Sequence, residues 1–278
     1  VIQGDFIFKL YDTFGFPVDI VRDIAIEKGV SFDEPGFAKA MEQQREQSRK
    51  SWKGGDVDHL EAGIIELASK GKKAEFIGYG ATQGVSTVDG IVSEAGQLVT
   101  EAKAGETLRL FCAQTPFYAE SGGQIGDQGE ITWPGGRFVV TKTFAPVEGL
   151  ILHEGQVAQG ALTTGTRVEL QVADRRGATV LNHTATHLLQ AAMQKVLGDH
   201  VKQSGSLVSP SRLRFDFTHF AALTREEVRR VEEIVNDRIR ADIPLATREM
   251  TLEEGIREGA TAIFEEKYGE TVRVVGIG

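Results

Sequence analysis

The spacing of apolar side chains changes character twice along this chain, and each change predicts a different kind of element. In VIQGDFIFKLYDTFGFPVDIVRDIAIEKGVSFDEPGFAKAMEQQREQSRKSWKGG the apolar positions recur at helical intervals, interrupted at Gly15 and Pro17 and by the Gly29 to Pro35 turn. From Glu42 to Lys53 almost every side chain is polar or charged. That stretch predicts a solvated helix without a buried face, ending in a linker at Gly54-Gly55. Between Asp56 and Ala173 the pattern shortens to the runs TLRLFC, RFVVTKT, LILHEGQV and TRVELQVA, separated by glycine turns. Such runs predict a small antiparallel barrel or folded sheet.

From Asp174 the two periods mix. Asp174 reads as a cap for the helix that carries LNHTATHLLQAAMQKVLG to Gly198. In RLRFDF, Leu213, Phe215 and Phe217 alternate with Arg212, Arg214 and Asp216, as in a strand with one buried face. Thr224 to Glu227 has the pattern of a capping box, and Val228, Val231, Val235 and Ile239 form the stripe of a long helix expected to pack on the sheet. The last run, TVRVVGIG, alternates poorly, but its β-branched residues predict a buried strand, where the chain stops as though cut. The expected fold class is α+β. It comprises an N-terminal helical segment (residues 1–53), a small antiparallel β-barrel-like part (56–173) and an antiparallel sheet packed with long helices (174–278).

Composition narrows the functional classes. At 278 residues and 41% hydrophobic content, the chain can bury two or three cores. One cysteine, Cys112, excludes an internal disulfide framework. With no export signal and no apolar run near the roughly 20 residues that span a bilayer, a cytoplasmic protein without a membrane partner is expected. A net charge of −9 argues against a general polyanion binder. Arg175, Arg176, Lys195, Lys202, Arg212 and Arg214 nevertheless flank the last helix-rich region, where they could attract phosphates or form an ordinary solvated face.

The candidate chemistry centres on His183 and His187. Four residues apart on a helix, two imidazoles share one face and can converge on an ion such as zinc, which accepts nitrogen donors and commonly takes four ligands. The same pair could equally be one capping and one half-buried histidine. A metalloprotease would carry glutamate directly after the first histidine as general base; Thr184 stands there, and neither it nor Thr186 can act as a base near neutral pH. FYAESGGQIGDQG, Phe117 to Gly129, sets four glycines among polar residues, suited to an anion-binding nest or to a wide β-turn. Glu120, Ser121, Gln124 and Asp127 add hydrogen-bonding groups that a plain turn does not require. In HVKQSGSLV, Gln203 and Ser204 follow the helix, where a return loop could bring an amide toward the histidines, or where Gly205 could simply cap a loop.

LYDTFGFPVD, FYAESGGQIGDQG, and NHTATHLL followed by QSGSLV and LRFDF occur here in one order. Together they resemble the bacterial-type alanyl-tRNA synthetases over essentially the whole chain, from the end of the helical tRNA-binding region through most of the editing domain. Free-standing alanyl-tRNA editing proteins and the editing domain of threonyl-tRNA synthetase share the histidine-pair core, but LYDTFGFP favours the synthetase. The resemblance implies hydrolysis of tRNA(Ala) mischarged with serine or glycine. It implies zinc on His183 and His187, Gln203 as a catalytic-pocket residue, and Ser121, Gly122, Gly123, Gln124, Asp127 and Gly129 as the substrate-binding glycine motif. The family's other two zinc ligands lie in a C-x-x-x-H motif expected after Gly278, so this chain is expected to hold half of the site. Cys112 precedes the glycine motif and is not that cysteine. The part that uses ATP and magnesium to activate alanine is expected to lie outside this stretch. The alternative reading is a tRNA-binding scaffold without a competent site.

Overall fold

The structure, a computed structural model, describes residues 1–14, 21–22, 25, 28–41, 60–260 and 271–277. The chain forms two compact units, Val1–Ile65 and Glu66–Gly278. In the first, helix α1 (Gly4–Phe14) buries Ile7, and residues 34–41 are also helical. Asp33 serves both starts: its carboxylate accepts the Gly4 N–H at 3.1 Å and the Gly36 N–H at 3.0 Å, two of the amides that helices leave without internal acceptors. The interruption at Gly15 and Pro17, the polar helix and the Gly54-Gly55 linker lie outside the described residues. Helix α2 (Ala62–Ser69) leads into the second unit.

There the strands run β1 (Glu75–Phe76), β2 (Gln83–Ser93), β3 (Leu98–Val99), β4 (Glu101–Lys103), β5 (Thr107–Cys112), β6 (Gln114–Thr115), β7 (Gly129–Trp133), β8 (Gly136–Phe144), β9 (Leu152–Gln159), β10 (Ala161–Thr163) and β11 (Arg167–Val172). Six of them follow the order β11-β7-β8-β9-β5-β2, and β11 pairs again with β2, closing an antiparallel barrel. The four runs expected to be strands supply β5, β8, β9 and β11. Alternation does the folding: in β11, Val168, Leu170 and Val172 point inward while Arg167, Glu169 and Gln171 face water. The inward set joins Val88, Ile91, Leu110, Cys112, Phe117, Ile131, Phe138 and Val157 in one core. Burial pushes the Cys112 thiol up to about 12, so it stays protonated inside the barrel core.

After the barrel come α3 (Arg175–Leu197), the hairpin β12 (Gln203–Val208) and β13 (Leu213–Phe217), and α4 (Arg225–Arg240). Asp174 precedes α3 but does not cap it: its backbone is already helical and its side chain makes no capping bond. Thr224 does cap α4, accepting the Glu227 N–H while the Glu227 carboxylate accepts the Thr224 N–H. The main neighbour of α4 is the helix α3, and its apolar stripe shares a core cluster with the hairpin aromatics. The buried stripe is Val231 with Ile234 and Val235, set against Ala192, Met193, Val201, Phe215 and Phe217, while Val228 and Ile239 are exposed. The terminal run is β15 (Thr271–Ile277), paired with β14 (Leu245–Thr251) and accompanied by the short α5 (Leu252–Arg257). It is not the buried strand expected: its residues alternate between exposed and half-covered, since it belongs to a two-stranded ribbon rather than to a layered sheet. Among the described residues no helix is long and apolar enough to cross a membrane.

Candidate metal centre and glycine loop

The helical spacing places His183 and His187 as expected: their rings stack with centroids 5.3 Å apart and planes 16° from parallel. His183 is half-buried and His187 is the more exposed of the two, though still partly covered. Both imidazoles titrate below the ordinary histidine value. Partial withdrawal from water penalises the charged form in each, and for His183 the neighbouring His187 adds to it. The neutral state this favours is the one that binds metals. The threonines between them are spent locally: Thr184 donates to the Val180 carbonyl at 3.2 Å and Thr186 to the His183 carbonyl at 2.6 Å.

The glycine motif reaches this helix from 59 residues away in sequence. Ser121 and Gln124 exchange backbone hydrogen bonds around Gly122 and Gly123, whose φ angles are 59° and 80°. This is the tight two-residue hairpin turn, not a wide one. The amides of Ser121, Gln124, Ile125 and Asp127 all donate to protein carbonyls, so they are not open to an anion. Gly123 also lies against β12, where an added Cβ would stand 2.6 Å from the Ser206 carbonyl oxygen, and its own carbonyl accepts the Val208 N–H at 2.7 Å. Gly129 starts β7 so close to β11 that a Cβ would collide with the Gln171 carbonyl oxygen.

The polar side chains of the loop divide by direction. Gln124, almost fully buried, sets its Oε1 2.7 Å from Nδ1 of His183. Asp127 turns inward: it accepts the Tyr118 N–H at 2.8 Å and faces Nε of Arg176 at 3.5 Å. Burial raises the Asp127 pKa, with the Tyr118 amide and the Arg176 charge opposing the rise. Arg176, in the first turn of α3, also donates to the Pro116 carbonyl at 2.9 Å. Asp127 and Arg176 thus tie the loop to the helix that carries the histidines. Ser121 remains exposed beside the turn.

Gln203 opens β12 opposite Phe217, and directly opposed residues of an antiparallel pair share a face. Phe217 packs against the cluster containing Ala192 and Met193 of α3, and the register is irregular between Gln203 and Gly205. Its side chain makes no hydrogen bond to either imidazole. Asn182, not singled out from the sequence, donates to the Ser209 carbonyl at 2.8 Å and ties α3 to the end of β12; only its place beside His183 in NHTATH could have signalled it. Among the basic residues, the Arg176 side chain is largely covered, Arg175 donates to Gln128 and Arg214 pairs with Asp216.

His183 and His187 offer two of the four donors of a tetrahedral zinc site. Among the described residues no group of three or more His, Cys, Asp or Glu converges. The pair therefore fits zinc as half of a ligand set.

Residues 1–176 match the family described as tRNA synthetases class II (A). The whole chain is 48% identical to the alanine-tRNA ligase of Desulfosudis oleivorans, and 99% of it is 46% identical to that of Nitratidesulfovibrio vulgaris. It spans 31% and 32% of the lengths of these relatives. The resemblance read from the three motifs is thereby borne out, and the chain belongs to the class II (A) tRNA synthetases, within which it matches alanine-tRNA ligases along its length.

Proposed function

We propose that this chain forms most of the editing part of an alanine-tRNA ligase, which hydrolyses the ester of tRNA(Ala) mischarged with serine or glycine. The observation that carries the reading is the stacked imidazole pair on one face of α3 with the glycine loop bonded to it through Gln124. The need for such a site follows from specificity: a pocket built for alanine cannot exclude glycine by size and rejects an added hydroxyl only modestly. A second site can select serine by bonding its hydroxyl, because alanine would leave those polar groups unpaired.

In this reading His183 and His187 hold zinc together with two ligands from outside the described residues. When bound, zinc supplies a positive charge beside the ester. Gln203, at the start of β12, hydrogen-bonds the substrate, and the loop from Ser121 to Gly129 forms the opposite wall. The partner is tRNA(Ala), with Lys195, Lys202 and Arg212 as candidate phosphate contacts. Water attacks the ester carbonyl, and the terminal adenosine of the tRNA leaves with the proton. The two-donor set favours a second reading for the isolated chain, a tRNA-binding piece that completes its site only in a longer protein.

The test is deacylation of Ser-tRNA(Ala) by this chain and by a chain extended through the C-x-x-x-H motif, with zinc content measured in both. The extended chain should hydrolyse the ester. His187→Ala in it should lower that rate at least tenfold and reduce bound zinc. Full deacylation by a metal-free His187→Ala protein would overturn the reading.

A further inference from the structure

We infer that Gln124 is a positioning residue that fixes the tautomer of His183 before any ligand arrives. An amide oxygen can only accept, so the 2.7 Å contact from Oε1 to Nδ1 requires the proton on Nδ1. The lone pair then resides on Nε2, which has no hydrogen-bond partner among the described residues. A metal or an electrophilic ligand at this face meets a nitrogen already deprotonated and already oriented, so neither tautomer exchange nor ring rotation accompanies binding.

Three observations show that the contact is built into the fold. Gln124 is 5% exposed, so no water competes effectively for its amide. Its backbone is held on both sides, by exchange of hydrogen bonds with Ser121 and by a bridge to Val208. The neighbouring Asp127 and Arg176 lock the same loop to the first turn of α3, two helical turns before His183. The amide therefore has a fixed origin relative to the ring it orients. His187 has no equivalent support among the described residues, which makes the two imidazoles unequal: one preset, one free to adjust.

This inference rests on the proposed metal role for its consequence but not for its test. In the metal-free 278-residue chain, two-bond proton–nitrogen correlation spectra at pH 8 distinguish the two tautomers of a neutral imidazole. His183 should show a protonated Nδ1 and an unprotonated Nε2. Gln124→Leu should release it to a mixture containing the Nε2–H form, while Gln124→Glu, which still accepts from Nδ1–H, should restore the wild-type pattern. Persistence of the Ser121 to Val208 backbone pattern in Gln124→Leu would show that the loop is intact. Should that variant fail to fold, the wild-type and Gln124→Glu spectra decide alone. Zinc affinity of the extended chain should fall about 10- to 100-fold in Gln124→Leu. A wild-type His183 carrying its proton on Nε2, or a tautomer unchanged in a folded Gln124→Leu protein, would overturn the proposal, whatever the outcome for deacylation.

Discussion

At the scale of single residues, the fully buried histidine His153 does a job unrelated to the metal pair. His153 sits in the barrel wall, donating from Nδ1 to the Leu110 carbonyl at 3.0 Å and accepting at Nε2 from the Thr115 hydroxyl at 2.8 Å. Thr115 in turn accepts the Phe117 N–H at 3.1 Å, which fixes the strand end where the glycine motif begins. Burial drops the His153 pKa from 6.5 to about 4, because the protonated ring would have no water around it, and the Leu110 carbonyl offsets only part of this. The unfolded chain binds this proton below pH 6.5 and the folded one only near 4. His153 therefore contributes full stability above 6.5 and loses it as pH falls through that window, by about 2 kcal/mol at pH 5. Urea unfolding at pH 7 and pH 5 checks this. The difference between the native protein and His153→Leu should shrink on acidification, and a constant difference would remove the histidine as its cause.

At the scale of elements, the interface between α3 and α4 tests which apolar residues count. Val231 fills the space between Ala192, Met193 and the hairpin aromatics, so Val231→Ala should cost about 2 kcal/mol, read as a lowered urea midpoint. Ile239→Ala, at a position 54% exposed, should stay within about 0.5 kcal/mol. The same contrast shows what the sequence could and could not disclose. The capping box at Thr224 and the strand β11 are local patterns and were legible as such. Strand β2, the longest in the barrel, was not, because its run QGVSTVDGIVS carries Asp89 and Gly90 through a register shift against β5. Helix α3 buries Thr179, Thr186 and Gln190, so its covered face cannot be recognised from hydrophobicity. The histidine spacing was plain to read, yet the contact with Gln124 joins residues 59 positions apart and is created only when the barrel and the helix meet.

At the scale of the whole molecule, barrel and hairpin ribbon represent two ways of ending a sheet. The second pairing of β11, with β2, removes every free edge from the six-stranded ring, whereas among the described residues β14 and β15 pair only with each other. A ring offers no end from which to unzip. A strand at an open edge can detach by giving up one ladder of hydrogen bonds, but each barrel strand must give up two at once and expose the common core. Amide hydrogen exchange should therefore find β2, β5, β7, β8, β9 and β11 opening with a single free energy and one shared dependence on urea. The amides of β14 and β15 should exchange through a smaller, independent opening, and a staircase of free energies around the ring would show that closure imposes no such cooperativity. Since the glycine turn runs directly into β7 of this ring, the end of the turn that β7 anchors should open only when the ring does.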